Sequence, residues 1–158
     1  EDRYTFAELC KEAEETDYIT SRIDVNNKCF LAPENMTEAI KSYCNNNDLI
    51  IPDTAGEIAA VVYKSLADSY ADTVMQIEKN LDITYDAIYV IGGGANAGYL
   101  NQLTADSTGK TVVAGPAEAT AIGNIMAQMI ADSVFKNLKE ARACVRDSFD
   151  IKRFEQKR

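Results

Sequence analysis

Apolar and polar positions fall along this chain in two rhythms, one helical and one of short continuous runs. The helical rhythm is clearest after Pro52-Asp53-Thr54, where Ile58, Val61, Val62, Leu66, Tyr70, Val74, Ile77 and Leu81 recur at steps of three and four. That spacing lines one side of an α-helix. Thr54 and Glu57 make a capping box at its start. No glycine or proline interrupts the pattern beyond the first turn, so it predicts one helix of about seven turns over residues 54–81.

Shorter helices are expected before it. Residues 5–16 read as one, with Thr5 as cap and Glu8 three residues later; residues 36–45 read as another, with Asn35 as N-cap, Glu38 completing a capping box, and Met36, Ile40, Tyr43 and Cys44 at helical spacing. Asn45-Asn46-Asn47-Asp48 ends that helix as a polar turn, because these side chains compete for backbone hydrogen bonds. Cys29-Phe30-Leu31, closed by Pro33, predicts a short extended segment.

From residue 85 the rhythm becomes that of an α/β unit. Ala87-Ile88-Tyr89-Val90-Ile91 is a continuous apolar run, the signature of a strand covered on both faces. Gly92-Gly93-Gly94 breaks it, and Tyr99, Leu100 and Leu103 mark a helix that starts at once and stops at Gly109. Thr111-Val112-Val113-Ala114 predicts a second strand, turned by Gly115-Pro116 into a helix whose face is Ala119, Ile122, Gly123, Met126, Ala127 and Ile130. A last helix is expected at about 138–147. The expectation is thus one partial domain over residues 1–158: an insertion and helices at 1–50, the long helix at 54–81, the glycine-turn α/β core at 85–131, and a C-terminal helix and tail at 138–158.

Composition narrows the function. The chain has 158 residues, 46% hydrophobic and 26% charged, with a net charge of −9. So acidic a surface repels polyanions and anionic lipid, which speaks against a nucleic-acid or membrane partner. The basic tail Lys152-Arg153-Phe154-Glu155-Gln156-Lys157-Arg158 is expected to be a solvated chain end. There is no histidine, and Cys10, Cys29, Cys44 and Cys144 lack metal-site spacing, so no protein-held metal is expected. Scattered thiols without a leader segment point to a reducing, cytoplasmic setting and to buried core cysteines. Glu1 rather than Met opens the sequence, as in a processed chain or a piece of a longer protein.

The candidate chemistry lies in the glycines. Three glycines between a strand and a helix let a ligand lie directly on the main chain. The helix start adds unpaired N–H groups and positive potential, a seat for ribose and phosphate, at the carboxyl end of a strand where open α/β sheets bind ligands. Gly92-x-Gly94-x-x-Ala97 also fits a dinucleotide fingerprint. That fingerprint wants an acid at the end of the next strand, and here it ends Val113-Ala114-Gly115-Pro116, with Glu118 already past the turn.

Gly92-Gly93-Gly94, Leu100-Asn101-Gln102-Leu103-x-Ala105-Asp106, Gly109, and Ala114-Gly115-Pro116-x-Glu118-Ala119-Thr120-x-x-Gly123-Asn124 together resemble the FGGY carbohydrate kinases. Phe30-Leu31-Ala32-Pro33, Ser65-Leu66-Ala67-x-x-Tyr70 and Glu140-Ala141-Arg142-x-x-Val145-Arg146-x-Ser148-Phe149 agree with it. The resemblance implies a helix-rich α/β fold, the C-terminal half of a ribonuclease H-like, actin-like ATPase domain with an incomplete sheet. It implies ATP and Mg2+ as cofactors, with the metal site mostly outside this chain, and a γ-phosphoryl transfer to L-rhamnulose or a related ketose.

Gly92, Gly93 and Gly94 would contact adenosine, Gly93 foremost. Gly123 would serve close helix packing behind the turn, and Glu118 would cap or orient its helix. Relatives place Asn third after the glycines; here that position is Ala97, so either Asn96 replaces it or backbone and apolar contacts hold the base. The family's catalytic Asp, in a Gly-x-x-Asp-Thr motif, is absent: Asp53-Thr54 and Asp72-Thr73 lack its glycine. The resemblance therefore implies that the chain is roughly the last third of a kinase, inactive alone. Its expected partners are the missing N-terminal part, the nucleotide and sugar, and, through an uncovered strand edge, other copies of itself. A kinase for another sugar or polyol, and a non-catalytic nucleotide-binding or interaction module, are the alternatives.

Overall fold

The computed structural model describes residues 4–16 and 18–157. Helix α1 (Phe6–Glu14) starts where expected: the Thr5 hydroxyl accepts from the Glu8 N–H and the Glu8 carboxylate accepts from the Thr5 N–H. Cys29-Phe30-Leu31 is not extended. Asn27 caps a 3-10 turn at Lys28–Phe30 by accepting from the Cys29 N–H, because an Asx side chain two residues before the apolar stretch offers its backbone a turn instead. Helix α2 (Met36–Asn46) has the expected Asn35 cap, although only the Asn35 half of the box is made.

Helix α3 (Ala55–Leu81) is the axis of the molecule, opened by the full Thr54/Glu57 capping box. Two clusters pack on its first half. Ile19, Ile23, Ile40 and Cys44 surround Val61, while Ala13 of α1 meets Ala59 and Ala60 beside Tyr63 and Tyr99. The segment between α1 and α2 is pinned to the same half: Ser65 Oγ accepts from the Ile23 N–H, Lys64 Nζ donates to the Ile19 carbonyl, and Arg22 pairs with Asp68 at 2.9 Å. Beyond Ala67 no residue of α3 is buried. The predicted stripe continues there, but Tyr70, Ile77 and Leu81 face solvent.

Among the described residues the sheet has three strands in the order β1-β2-β3. β1 (Ala87–Val90) and β2 (Thr111–Ala114) run parallel, joined through α4 (Gly98–Thr108), which ends at left-handed Gly109 as expected. Lys110 ties the start of β2 to the end of α3, donating to Glu78 at 2.7 Å and to the Tyr85 carbonyl at 2.8 Å. The basic tail departs from expectation. Lys152–Phe154 is β3, antiparallel to β2 with Val112 opposite Phe154. Lys157 N–H then donates to Asp106. The charges that suggested a solvated tail suit an edge strand, where Lys and Arg discourage further pairing.

Two other expectations fail. Cys44 is buried, but Cys29 is exposed and Cys10 and Cys144 are half-buried. The β1 run reads as doubly covered, yet Tyr89 is 73% and Ile91 60% exposed. β2 occupies only one edge of β1, and the face carrying Tyr89 and Ile91 opens into a groove under α5 (Ala119–Ala131) and α6 (Leu138–Ser148).

Three carboxylates are held in their charged form by local hydrogen bonds and so contribute to acid sensitivity. Thr5 donors hold Glu8 below the ordinary value of 4.5. The Tyr18 hydroxyl, then the Asp53 and Thr54 N–H groups, do the same for Glu57. Lys110 and the Tyr85 N–H lower Glu78. The unfolded chain therefore takes up these protons more readily than the folded one, so the stability they contribute is full above 4.5 and drains as pH falls through the lower folded values. In salt that screens the net charge, the thermal midpoint should hold down to about pH 5 and fall below it; a midpoint that rises on acidification would contradict this.

Candidate functional site

The glycine turn is a short helix of its own. β1 ends at Val90, Ile91 leads in, and Gly92–Asn96 forms a 3-10 segment before α4 begins at Gly98. The helix therefore does not start immediately after the strand. The unpaired N–H groups nearest the glycines are those opening the 3-10 segment, since any helix leaves its first donors without internal acceptors.

The three glycines differ in what requires them. Gly92 sits at φ +76°, where a side chain would strain the backbone. A Cβ on Gly94 would stand 3.4 Å from Val90 Cγ1, an ordinary contact. Gly93 has no such constraint: a Cβ there would meet nothing within 4 Å, and the residue is exposed. The fold leaves this stretch of main chain bare on its outer side, as a flat ligand would need.

The inner side is held by small residues and one amide. Ala95 and Ala97 are buried, so Ala97 points into the protein while Asn96, its neighbour, is exposed. Asn101, 2% exposed, donates from Nδ2 to the carbonyls of Gly94 and Ala95, each at 3.2 Å. In the sequence Asn101 stands only within the stretch that resembles the family, with no role implied for it. A signal was present: Ala97, Asn101 and Ala105 stand four apart, so the amide shares the inward face of α4 with two small buried residues.

The residues beyond β2 behave differently from expectation. Gly115, at φ +116°, passes so close to the chain after α6 that a Cβ would lie 3.0 Å from the Asp150 carbonyl oxygen. Glu118 occupies the N-cap of α5, but only its carbonyl takes part, accepting from the Ile122 N–H. Gly123 packs nothing close: a Cβ would meet no atom within 4 Å, because it faces the groove of about 820 Å3 that Tyr89, Met126 and Val145 also line.

Among the described residues no group of three Asp, Glu or Cys side chains stands together to hold a metal ion. Asp53 and Asp72 are exposed, Asp53 just ahead of the cap of α3 with Lys41 3.5 Å away and Asp72 on the helix itself.

Residues 2–131 match the C-terminal domain of the FGGY family of carbohydrate kinases. The chain belongs to this family. That membership selects the kinase resemblance over the dinucleotide fingerprint and accords with the helix-rich α/β fold of an actin-like ATPase domain. Among curated relatives, this FGGY domain is 47% identical to rhamnulokinase of Bacillus subtilis strain 168 over 154 residues, 98% of the chain and 32% of the relative. It is 45% identical to the rhamnulokinase of Oceanobacillus iheyensis over 150 residues, 95% of the chain and 32% of the relative. With that of Lactiplantibacillus plantarum it shares 38% identity over 153 residues, 97% of the chain and 31% of the relative. The chain spans about a third of the length of the curated relatives it matches. No helix among the described residues is long and apolar enough to cross a membrane.

Proposed function

We propose that this FGGY domain forms the adenosine side of the ATP cleft of a kinase that phosphorylates L-rhamnulose. The observation that carries the reading is Gly93, bare and exposed where neither conformation nor packing demands glycine. The family match and the relatives' names support the activity and the sugar.

Phosphoryl transfer rests on positioning and charge stabilisation more than on covalent help from the protein. In this reading residues 92–94 give the nucleoside a flat seat, with N–H groups available to ribose or phosphate, and exposed Asn96 offers an amide to the base edge. Among the described residues no group of side chains fits Mg2+, and the Gly-x-x-Asp-Thr motif that would supply the base accepting the sugar's proton does not occur in the sequence. Those groups belong to the remaining two-thirds of such a kinase. Adenosine contacts alone hold ADP at about millimolar affinity, ~4 kcal/mol.

Replacing the matching third of the Bacillus subtilis enzyme with residues 1–158 tests the reading. The chimera should phosphorylate L-rhamnulose with ATP, while this chain alone should phosphorylate nothing. A chimera that folds without binding ATP would overturn the kinase reading, and a full-length protein carrying this chain that prefers another ketose would overturn the substrate.

The free edge of β1 has its own consequence. Among the described residues only β2 pairs with β1, exposed Tyr89 lies on that strand and exposed Ile91 follows it, and such edges recruit other strands. The isolated chain should therefore self-associate. Sedimentation velocity over a concentration series should show dimers or larger species growing with concentration; a monomer throughout would contradict this.

A further inference from the structure

We propose that Asn101 is the positioning residue of the glycine turn, holding its peptide planes in the orientation that receives the nucleotide. The inference rests on the reading that residues 92–94 seat adenosine.

The side chain is 2% exposed and both of its hydrogen bonds go to one short stretch of main chain. An Asn amide nitrogen carries two protons, and here they reach two successive carbonyls, those of Gly94 and Ala95, at 3.2 Å each. The anchor is itself fixed, since the Asn101 N–H donates to the Ala97 carbonyl at 2.9 Å and so belongs to the first turn of α4.

The consequence follows from peptide geometry. A trans planar peptide sets its N–H opposite its C=O. Drawing the carbonyls of Gly94 and Ala95 inward therefore turns the N–H groups of Ala95 and Asn96 away from Asn101. It also settles which side of the glycine stretch is inward, leaving Gly93 on the open side. A 3-10 segment has poorer hydrogen-bond geometry than an α-helix and rarely persists without support. A glycine-rich one also has more conformations to lose on ordering. One buried amide supplies that support from within.

Gln carries the same two donors on an arm one methylene longer. Asp would set a carboxylate against two carbonyl oxygens. Ser brings one donor on a shorter arm. Leu fills the space with none.

The test begins with the unmodified chain, by amide NMR. The two Asn101 Nδ2 protons should give separate signals that exchange with water at least about tenfold more slowly than those of exposed Asn96. Equal rates would overturn the proposal without any variant being made. Asn101→Ser and Asn101→Asp then follow, each titrated with ADP and each measured for amide exchange at residues 92–97. Exchange there should quicken in both variants, while Val112 and Val113 of the sheet keep their rates. ADP affinity should fall about tenfold in Asn101→Ser and further in Asn101→Asp.

A merely structural role would lower the unfolding temperature yet leave ADP affinity and turn exchange in the folded molecules unchanged, and that result would also overturn the proposal. If ADP moved none of the turn resonances in the unmodified chain, the nucleotide reading would fall. The exchange data would still show whether Asn101 orders the turn.

Discussion

Gly93→Asp should cost this FGGY domain at least about tenfold in ADP affinity, ~1.4 kcal/mol, while leaving its unfolding temperature where it is. The two halves of this expectation come from one measurement of space. A Cβ at Gly93 meets no atom within 4 Å and the backbone is not in the left-handed region, so a side chain there disturbs nothing in the protein. Any loss must then come from what approaches from outside. An aspartate occupies the seat of the nucleoside and sets a negative charge beside the phosphates, which the open turn otherwise favours. Gly92→Asp is the informative contrast: at φ +76° it strains the backbone, and it should lower stability and affinity together. Differential scanning calorimetry and an ADP titration on both variants separate the cases. Loss of stability without loss of affinity in Gly93→Asp would mean that the turn serves the fold alone.

The second large effect is at the other end of the molecule. Gly56→Ala should destabilise the chain by about 1–3 kcal/mol, the range for a methyl forced into a packed contact. Gly56 lies in the first turn of α3, where α1 crosses it, and a Cβ would stand 2.8 Å from Glu12 Cβ and 3.1 Å from the Glu12 carbonyl carbon. The obstruction is main chain, which cannot rotate aside, so α1 must move and loosen Ala13 against Ala59 and Ala60. Gly98→Ala provides the control. It opens α4 with nothing within 4 Å, and alanine there should be neutral or stabilising by up to about 1 kcal/mol. Chemical denaturation of the two variants should give changes of clearly different size; equal small changes would show that α1 yields freely.

Local chemistry was the legible part of this sequence. Both Thr-x-x-Glu boxes, the Asn35 cap, the left-handed stop at Gly109 and β2 at 111–114 occur where spacing placed them. Each depends on residues within one or two turns of one another. Burial was less legible. Tyr70, Ile77 and Leu81 on α3, Tyr89 on β1 and Ile91 just after it carry the apolar pattern of covered positions, yet they are exposed. An apolar pattern records that a face is meant to be covered, not by what.

The tail misled for the opposite reason. Lys152-Arg153-Phe154 looks polar because an outermost strand has one edge and most of one face in water, with only Phe154 turned toward Val112. The glycine turn itself stood out in the sequence, but its support did not. Asn101 is an ordinary helix-interior residue by composition, and only the two carbonyls brought under it by the 3-10 segment give it a role. Gly123 shows the converse, a residue assigned a packing role that opens instead onto an empty groove.

The most direct test of the nucleotide reading is an ADP titration of the isotope-labelled chain, followed residue by residue through its amide resonances. The account predicts saturable shifts concentrated at residues 92–97, with half-saturation at about millimolar ADP. Saturable shifts centred elsewhere, or none at Gly93 when the rest of the spectrum is well dispersed, would contradict it.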